Sequence, residues 1–294
     1  MTLDIIIPLY NKEKSILNYY NKINDELKNV KHKFIFVDDS SNDKTLDILK
    51  EIYSNDDENV KIISLSNNCG KDLSIKAGLE YSNSELVCVF DLDLQANVTH
   101  ITKMYDFLIE HTNYDCVCMY SNYEENKFFK KLKIKLLNKL FKLNIDINKT
   151  NYKIFRKNIK NAILKYPSNY FSQYIFELVG FNIYYSKYDN KNHLKDIDTT
   201  KLISYSEKPY NFIKFINYFL IAIFFILLIL RVTKVLKIGN STCLFGLFLL
   251  IILQQFLTSF IICSLNVKNK KHDYYIRELI GFDDNILWGE IWKT

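Results

Sequence analysis

Across its first 120 residues the chain alternates short β-rich apolar runs with longer amphipathic stretches, and this alternation restricts the fold more than any other feature. Leu3–Pro8, Phe34–Asp38, Val60–Ser64, Leu86–Asp91 and Asp115–Tyr120 read as strands. Ser15–Leu27, Thr45–Tyr53, Ile75–Tyr81 and Ile101–His111 read as helices between them. Strands separated by helices of this length predict an α/β fold with a mostly parallel sheet covered on both faces. Ligands of such sheets bind beyond the C-terminal ends of the strands, so the residues that follow each strand carry the functional information.

Those residues are polar and orderly. Pro8-Leu9-Tyr10-Asn11 follows the first strand, DDSSND (38–43) the second, SNNCGK (66–71) the third and DLDLQ (91–95) the fourth. Neither GxGxxG nor GxxxxGK[ST] is present, so backbone amides of a glycine-rich loop are not the means of holding phosphates. DLDLQ offers another means. In an extended chain Asp91, Asp93 and Gln95 share one side, giving two carboxylates and an amide oxygen, the hard oxygen donors that suit Mg²⁺ or Mn²⁺. Such a metal bridges a diphosphate and stabilises it as a leaving group. The bland alternatives are an edge strand with solvated acids for DLDLQ and a helix N-cap before Thr45 for DDSSND.

The C-terminal third has a different character. Phe212–Val232 and the uncharged Cys243–Leu265 each have the length of a bilayer core, and the residues between them suit the turn of a helical hairpin. Most of the net charge of +6 also sits here: residues 201–294 carry 11 basic and 6 acidic side chains, whereas residues 1–200 carry 28 and 27. Cations beside apolar runs point to a membrane surface and away from nucleic acid. The basic flanks, together with an N-terminal part of soluble composition and no signal-peptide pattern at its start, place residues 1–200 and the basic tail 266–294 in the cytoplasm. The expected organisation is thus a cytoplasmic domain (1–200), a juxtamembrane segment (201–211), two transmembrane helices (212–232 and 243–265) and the tail, in a multi-pass protein of the plasma (inner) membrane. Gln254 and Gln255 in mid-span pair within the hairpin or between subunits of a homo-oligomer. Within the N-terminal part, residues 127–144 carry seven Lys and no acid, with Phe129, Leu132, Leu136, Leu140 and Leu143 at helical spacing. This reads as a basic amphipathic helix lying on an anionic leaflet or packed on its own domain. Six Cys without a CxxC pair argue against a zinc module or a disulfide scaffold.

Taken together, IIIPLYN, VDDSSNDKT, LSNNCGKDLSIKAGLEYS and FDLDLQ, in this order and spacing, resemble the nucleotide-sugar domain of family 2 glycosyltransferases. With the Lys-rich helix, VGF (179–181), ISYSEKP (203–209) and the hairpin, the chain is similar to the polyprenyl-phosphate glycosyltransferase branch. The resemblance implies a GT-A-type domain that passes a sugar from a UDP- or GDP-sugar to a polyprenyl phosphate with inversion. It implies a donor site of Pro8, Tyr10, Asn11, Glu13, Asp38, Asp39, Asn67, Gly70, Lys71, Asp91 and Leu92. It further implies a metal, Mg²⁺ or Mn²⁺, on Asp91, Asp93 and Gln95, and catalytic roles for Asp93, Lys153 and Arg156. A phosphate acceptor is already anionic at neutral pH, so the reaction needs no strong general base.

The chain departs from the family pattern where Lys12 replaces Glu, where Ala96-Asn97-Val98 follows DxDxQ, and where Lys153 in YKI replaces an Arg, with Arg156 or Lys157 as substitutes. Two other readings therefore stand beside the first. One is transfer to a hydroxyl of a lipid-linked glycan or surface polymer with Glu177 or Asp189 as base; the other is an inactive nucleotide-sugar-binding membrane partner.

Overall fold

A computed structural model of the chain describes residues 1–92, 97–121, 149–165, 175–178, 180–188 and 274–282, and elsewhere only residues 135, 215, 217–219, 221–223, 226, 229, 246 and 253–259. Two compact units partition the chain: Met1–Lys127, Asn144–Asp196 and His272–Thr294 form the first, Phe128–Leu143 and Ile197–Lys271 the second.

The first unit is built on one sheet. Its strands are β1 (Leu3–Leu9), β2 (His32–Asp38), β3 (Val60–Leu65), β4 (Leu86–Val89), β5 (Cys116–Ser121), β6 (Lys149–Arg156), β7 (Ile183–Tyr188) and β8 (Ile276–Ile280). They lie in the order β7-β5-β6-β4-β1-β2-β3-β8. The central strands β4, β1, β2 and β3 are parallel, while β6 and β8 run antiparallel to β4 and β3. The central strands are continuous apolar runs such as IIIPL and FIFV, which is what burial on both faces requires. The described helices are α1 (Ile16–Glu26), α2 (Thr45–Asn55), α3 (Lys71–Tyr81), α4 (Thr99–Glu110), α5 (Lys157–Lys165) and α6 (Ile175–Leu178). Phe34, Phe36, Phe90 and Tyr152 fill the core on the side of α1 and α4, with Phe34 and Phe36 stacked at 5.4 Å.

The α/β class and the mostly parallel sheet expected from the sequence are present, with three local differences. Helix α3 begins at Lys71, four residues before the apolar period that starts at Ile75, because its first turn is tied down from another loop, as described below. Strand β4 stops at Val89 and Leu92 lies in a helical turn, so Asp91 follows the strand instead of ending it. Third, part of the segment expected as a basic tail is strand β8 at the sheet edge.

Helix α3 packs unusually close to the sheet. A Cβ on Gly78 would stand 2.5 Å from Ile6 Cγ2 and 3.3 Å from Val37 Cγ2, so only glycine permits this approach, which sets the height of Lys71 above the strand ends.

The described stretches of the second unit are helical. They expose Phe215, Tyr218, Phe219, Ile226, Ile229, Leu253 and Phe256. Among the described residues no helix is long and apolar enough to cross a membrane. Most of 212–232 and 243–265, nearly all of the basic segment 127–144, and residues 201–211 lie outside the described residues.

Candidate functional site

From β1 the chain proceeds to β2 and β3 on one side, and β4 joins β1 on the other, so the topological switch point lies between the C-terminal ends of β1 and β4. Pairing of β1 with β4 ends at Ile6–Val89, whereas β1 continues beside β2 to Leu9–Asp38. Pro8, Leu9 and Tyr10 thus extend past the end of β4 as one wall of the switch point. Pro8 is tolerated here because its missing N–H falls beyond the β4 ladder.

The loops after β1 and β2 are laced together. The Asn11 amide donates to Ser41 Oγ (3.0 Å) and the Asn42 amide to Asn11 Oδ1 (2.9 Å). The Lys12 amide donates to Thr45 Oγ1 (2.7 Å) and the Lys44 amide to Glu13 Oε2 (3.1 Å). Among the described residues, Asn11 (φ 52°) and Ser40 (φ 57°) are the non-glycine positions in left-handed backbone, and both lie at this rim, where strain gathers at binding sites. Glu13 acts as a loop tie by accepting from the backbone. Tyr10 is 40% exposed, with its hydroxyl accepting from Asn42 Nδ2 at 3.4 Å, and offers a ring face for stacking.

Asp38 and Asp39 are 1% and 4% exposed. Asp38 accepts from the Ser41 amide at 3.3 Å and from Ser64 Oγ at 3.5 Å. Burial raises its carboxyl above the ordinary carboxylate range, against the opposing pull of the Ser41 and Ser64 hydrogen bonds and the Arg277 charge. Asp39 accepts from the amides of Cys69 (2.7 Å) and Gly70 (2.8 Å), and this clamp starts α3 at Lys71. Burial raises its carboxyl as well, with the two amides holding it back. Asp39 is therefore a positioning residue that joins the β2 and β3 loops, and Asn67 and Gly70 lie in the loop it fixes.

At the opposite wall, the Lys71 ammonium forms an ion pair with Asp91 Oδ2, whose side chain is 8% exposed. A cation thus already sits on the first carboxylate of DLDLQ, just beyond β4 and beside Leu92. Asp93 and Gln95 lie outside the described residues, as do Asp189 and the side chain of Glu177. Among the described residues no three His, Cys, Asp or Glu side chains gather as a metal site.

The structure does not bring Lys153 and Arg156 together. Lys153 faces Val89 in the β4–β6 register, two residues before Asp91, and is 1% exposed with its Nζ 4.0 Å from the centre of the Phe176 ring. It lies beneath the rim. Arg156 faces Leu86, three residues and roughly 10 Å further along, at the N-terminal end of β4. Its guanidinium donates to Leu108 O (2.7 Å) and Tyr114 O (3.0 Å), and Lys157 donates to Asn83 O (3.4 Å) at that same end. Antiparallel pairing is the reason: each step toward the C-terminus of β6 is a step away from the rim. Arg156 and Lys157 are correspondingly not substitutes for a rim cation.

The rim also includes residues that the strand-end motifs do not indicate. Ser64 is the last β3 residue paired with β2 and carries its hydroxyl to Asp38. Arg277 reaches the β2 and β3 loops from β8, and the only sequence sign of it is a short β-rich run, YYIRELI, closed by Gly281.

The family model described as glycosyl transferase family 2 matches residues 4–180. CsbB of Bacillus subtilis, named as a glycosyltransferase, is 28% identical over 81% of this chain and 77% of its own length. The undecaprenyl-phosphate 4-deoxy-4-formamido-L-arabinose transferase of Pseudomonas fluorescens is 27% identical over 55% of this chain, and the match spans only 49% of that protein. Among solved structures, glucosyl-3-phosphoglycerate synthase of Mycobacterium tuberculosis with Mn²⁺, uridine diphosphate and phosphoglyceric acid shares the fold. It matches with a TM-score of 0.50 and 15% identity, over 71% of this chain and 75% of that one.

Proposed function

The chain belongs to glycosyl transferase family 2, and on that premise we propose that it is a membrane-anchored, inverting glycosyltransferase that moves a sugar from a UDP- or GDP-sugar to a polyprenyl phosphate. The observation that carries this reading is the switch point between β1 and β4, where Tyr10, the Asp39-clamped α3 terminus and the Lys71–Asp91 pair converge. Tyr10 gives a face for the base, the β2 and β3 loops hold the nucleoside, and Lys71 gives positive charge where a diphosphate would lie.

In the proposed reaction an oxygen of the acceptor phosphate attacks the anomeric carbon in line. The bond from that carbon to the nucleotide's terminal phosphate oxygen breaks, and the nucleoside diphosphate departs with the electron pair. The acceptor is anionic before it binds, so no side chain has to take a proton. The rim's work is to orient the donor and neutralise the leaving diphosphate. A divalent ion, Mg²⁺ or Mn²⁺, on Asp91, Asp93 and Gln95 would add charge at the same diphosphate, and the oxygen-only donor set fits such an ion. Lys71 sits on the Asp91 carboxylate and shares that duty.

Two features support membrane anchoring and a lipid acceptor. The second unit exposes seven large apolar side chains on its described helical stretches, exposure that water penalises. In addition, the chain leaves the sheet after β7 and rejoins it at β8, so a membrane excursion between them crosses an even number of times, as a hairpin does. A hairpin there would leave the nucleotide site and both flanks on one side, and the basic charge of the flanks supports the cytoplasmic side. The undecaprenyl-phosphate acceptor in the name of one relative agrees with this acceptor class.

The test is transfer from radiolabelled UDP- and GDP-sugars into organic-extractable lipid, with purified protein, undecaprenyl or dolichyl phosphate and Mn²⁺ or Mg²⁺. Acid-labile labelled lipid that is lost with Asp93→Ala supports the reading. An alkali-stable glycoside moves the acceptor to a hydroxyl, and metal-dependent nucleotide binding without turnover on any acceptor makes the chain a non-catalytic partner.

A further inference from the structure

Strand β8 lies far from the donor motifs in sequence, on the far side of both apolar runs, yet it reaches the donor rim. Because it runs antiparallel to β3, its first residues lie at the C-terminal end of β3: the Ser66 amide donates to Tyr275 O at 2.8 Å. From there one terminal nitrogen of Arg277 donates to Ser66 O at 3.1 Å and to Ser40 Oγ at 3.5 Å. Ser40 follows Asp38-Asp39 and is, with Asn11, a non-glycine position in left-handed backbone; Ser66 opens the loop that leads to Lys71.

The strand that delivers this guanidinium is fixed at both ends. Before it, the Tyr274 hydroxyl bonds to Glu80 of α3. Within it, Glu278 pairs with Lys50 of α2 at 2.8 Å. After it, Gly281 turns with φ 79° where a Cβ would stand 2.8 Å from both Val60 O and the Tyr53 ring, and Phe282 packs edge-on against Tyr81 at 5.2 Å. The position of Arg277 is thus built into the fold. Its side chain is exposed, and among the described residues its Nε and second terminal nitrogen take no acceptor, so these donors of a rigid fork face outward over the nucleoside loops.

We propose that Arg277 is a donor-binding residue that closes the nucleoside side of the site and hydrogen-bonds oxygen acceptors of a nucleoside diphosphate. The proposal rests on the glycosyltransferase reading, since that reading puts the nucleoside against the β2 and β3 loops. It makes the donor site a composite of the N-terminal motifs and a strand that enters the sheet only after the apolar excursion.

The experiment uses the full chain purified in detergent and measures dissociation constants for UDP and GDP with Mn²⁺ by calorimetry, beside melting temperatures. The variants are Arg277→Met, Arg277→Lys and Lys50→Met, the last of which breaks the exposed pair to Glu278 without touching the rim. Expected are about a tenfold loss of nucleotide affinity in R277M, partial recovery in R277K, and wild-type affinity in K50M. Wild-type affinity in R277M overturns the proposal. So does an equal loss in K50M and R277M, or in R277K and R277M with a lowered melting temperature, because Arg277 would then only hold the strand. A wild-type chain that binds neither nucleotide overturns the function reading itself and the proposal with it.

Discussion

Asp4 and Asp39 are both 4% exposed, yet they sit at opposite ends of the sheet and are satisfied in different ways. Asp4, at the N-terminal end of β1, accepts from Ser82 Oγ (2.8 Å), the Asn83 amide (2.9 Å), the Ser84 amide (3.0 Å) and Ser84 Oγ (2.6 Å). All four donors come from one loop, and Lys160 closes the cluster by donating to Ser82 O. Asp39, at the C-terminal end of β2, takes two amides from the β3 loop, and around it lie strained backbone at Asn11 and Ser40, an exposed Tyr10, and cations at Lys71 and Arg277. The first arrangement saturates a carboxylate and leaves nothing for a ligand. The second uses one carboxylate to align a neighbouring loop and leaves donors and a ring face outward. Burial of an acid therefore does not distinguish structure from function in this fold; what distinguishes them is whether the groups around it are used up.

The largest contrast is expected at Asp91. Asp91→Ala removes the partner of Lys71 and the first carboxylate of DLDLQ, and transfer into lipid should fall by at least about 10³-fold while the melting temperature stays near wild type. Loss within tenfold would place Asp91 with Asp4 among structural acids. Asp4→Ala should do the reverse. Four donors lose their acceptor, which costs about 3 kcal/mol and lowers the melting temperature by roughly 6–12 °C. Nucleotide affinity below that transition should not change, and a selective loss of affinity would end the division between the two rims.

Asp39→Asn is the intermediate case. An amide side chain can accept from only one of Cys69 and Gly70 and presents a donor to the other, so the first turn of α3 shifts and carries Lys71 with it. A displacement on the order of 1 Å at Lys71 corresponds to about 10²-fold in transfer. The expected pattern is a fall in kcat larger than the rise in KM, because Asp39 acts through the loop.

Much of this division was legible in the sequence. The strand–helix alternation gives the central parallel strands, and the polar residues after β1 to β4 fall on one rim because a parallel sheet gathers its C-terminal ends at one edge. Roles within the rim were less legible. Asp39 and Glu13 read as donor ligands, and the spacing gives no sign that each also ties loops together by accepting backbone amides, a matter of loop packing. Arg156 read as a rim cation because it lies three residues from Lys153, and only the antiparallel register shows that three residues lead away from the site. Strand β8 was hidden by its setting, since five residues after a long apolar excursion carry a weak period-two signal and Arg277 is counted among the tail's other cations.

The smallest effect is expected at Lys160, and it tests the N-terminal rim through pH. Lys160 is 5% exposed, and burial lowers its ammonium below the ordinary value of 10.5, reinforced by Lys157 and opposed by Asp4. Between the lowered value and 10.5 the folded chain binds fewer protons than the unfolded chain, so this group makes stability rise with pH across that window. The gain is complete above 10.5 and is lost as pH falls through the lowered value. Lys160→Met keeps the stem and removes the titration, so its stability should lack that alkaline rise and at neutral pH differ from wild type by about 1 kcal/mol or less. Nucleotide affinity should be unmoved at every pH. A change in its pH profile would mean that the two ends of the sheet are coupled through β4 and α3, and the saturated cluster at Asp4 would then be part of the site's support.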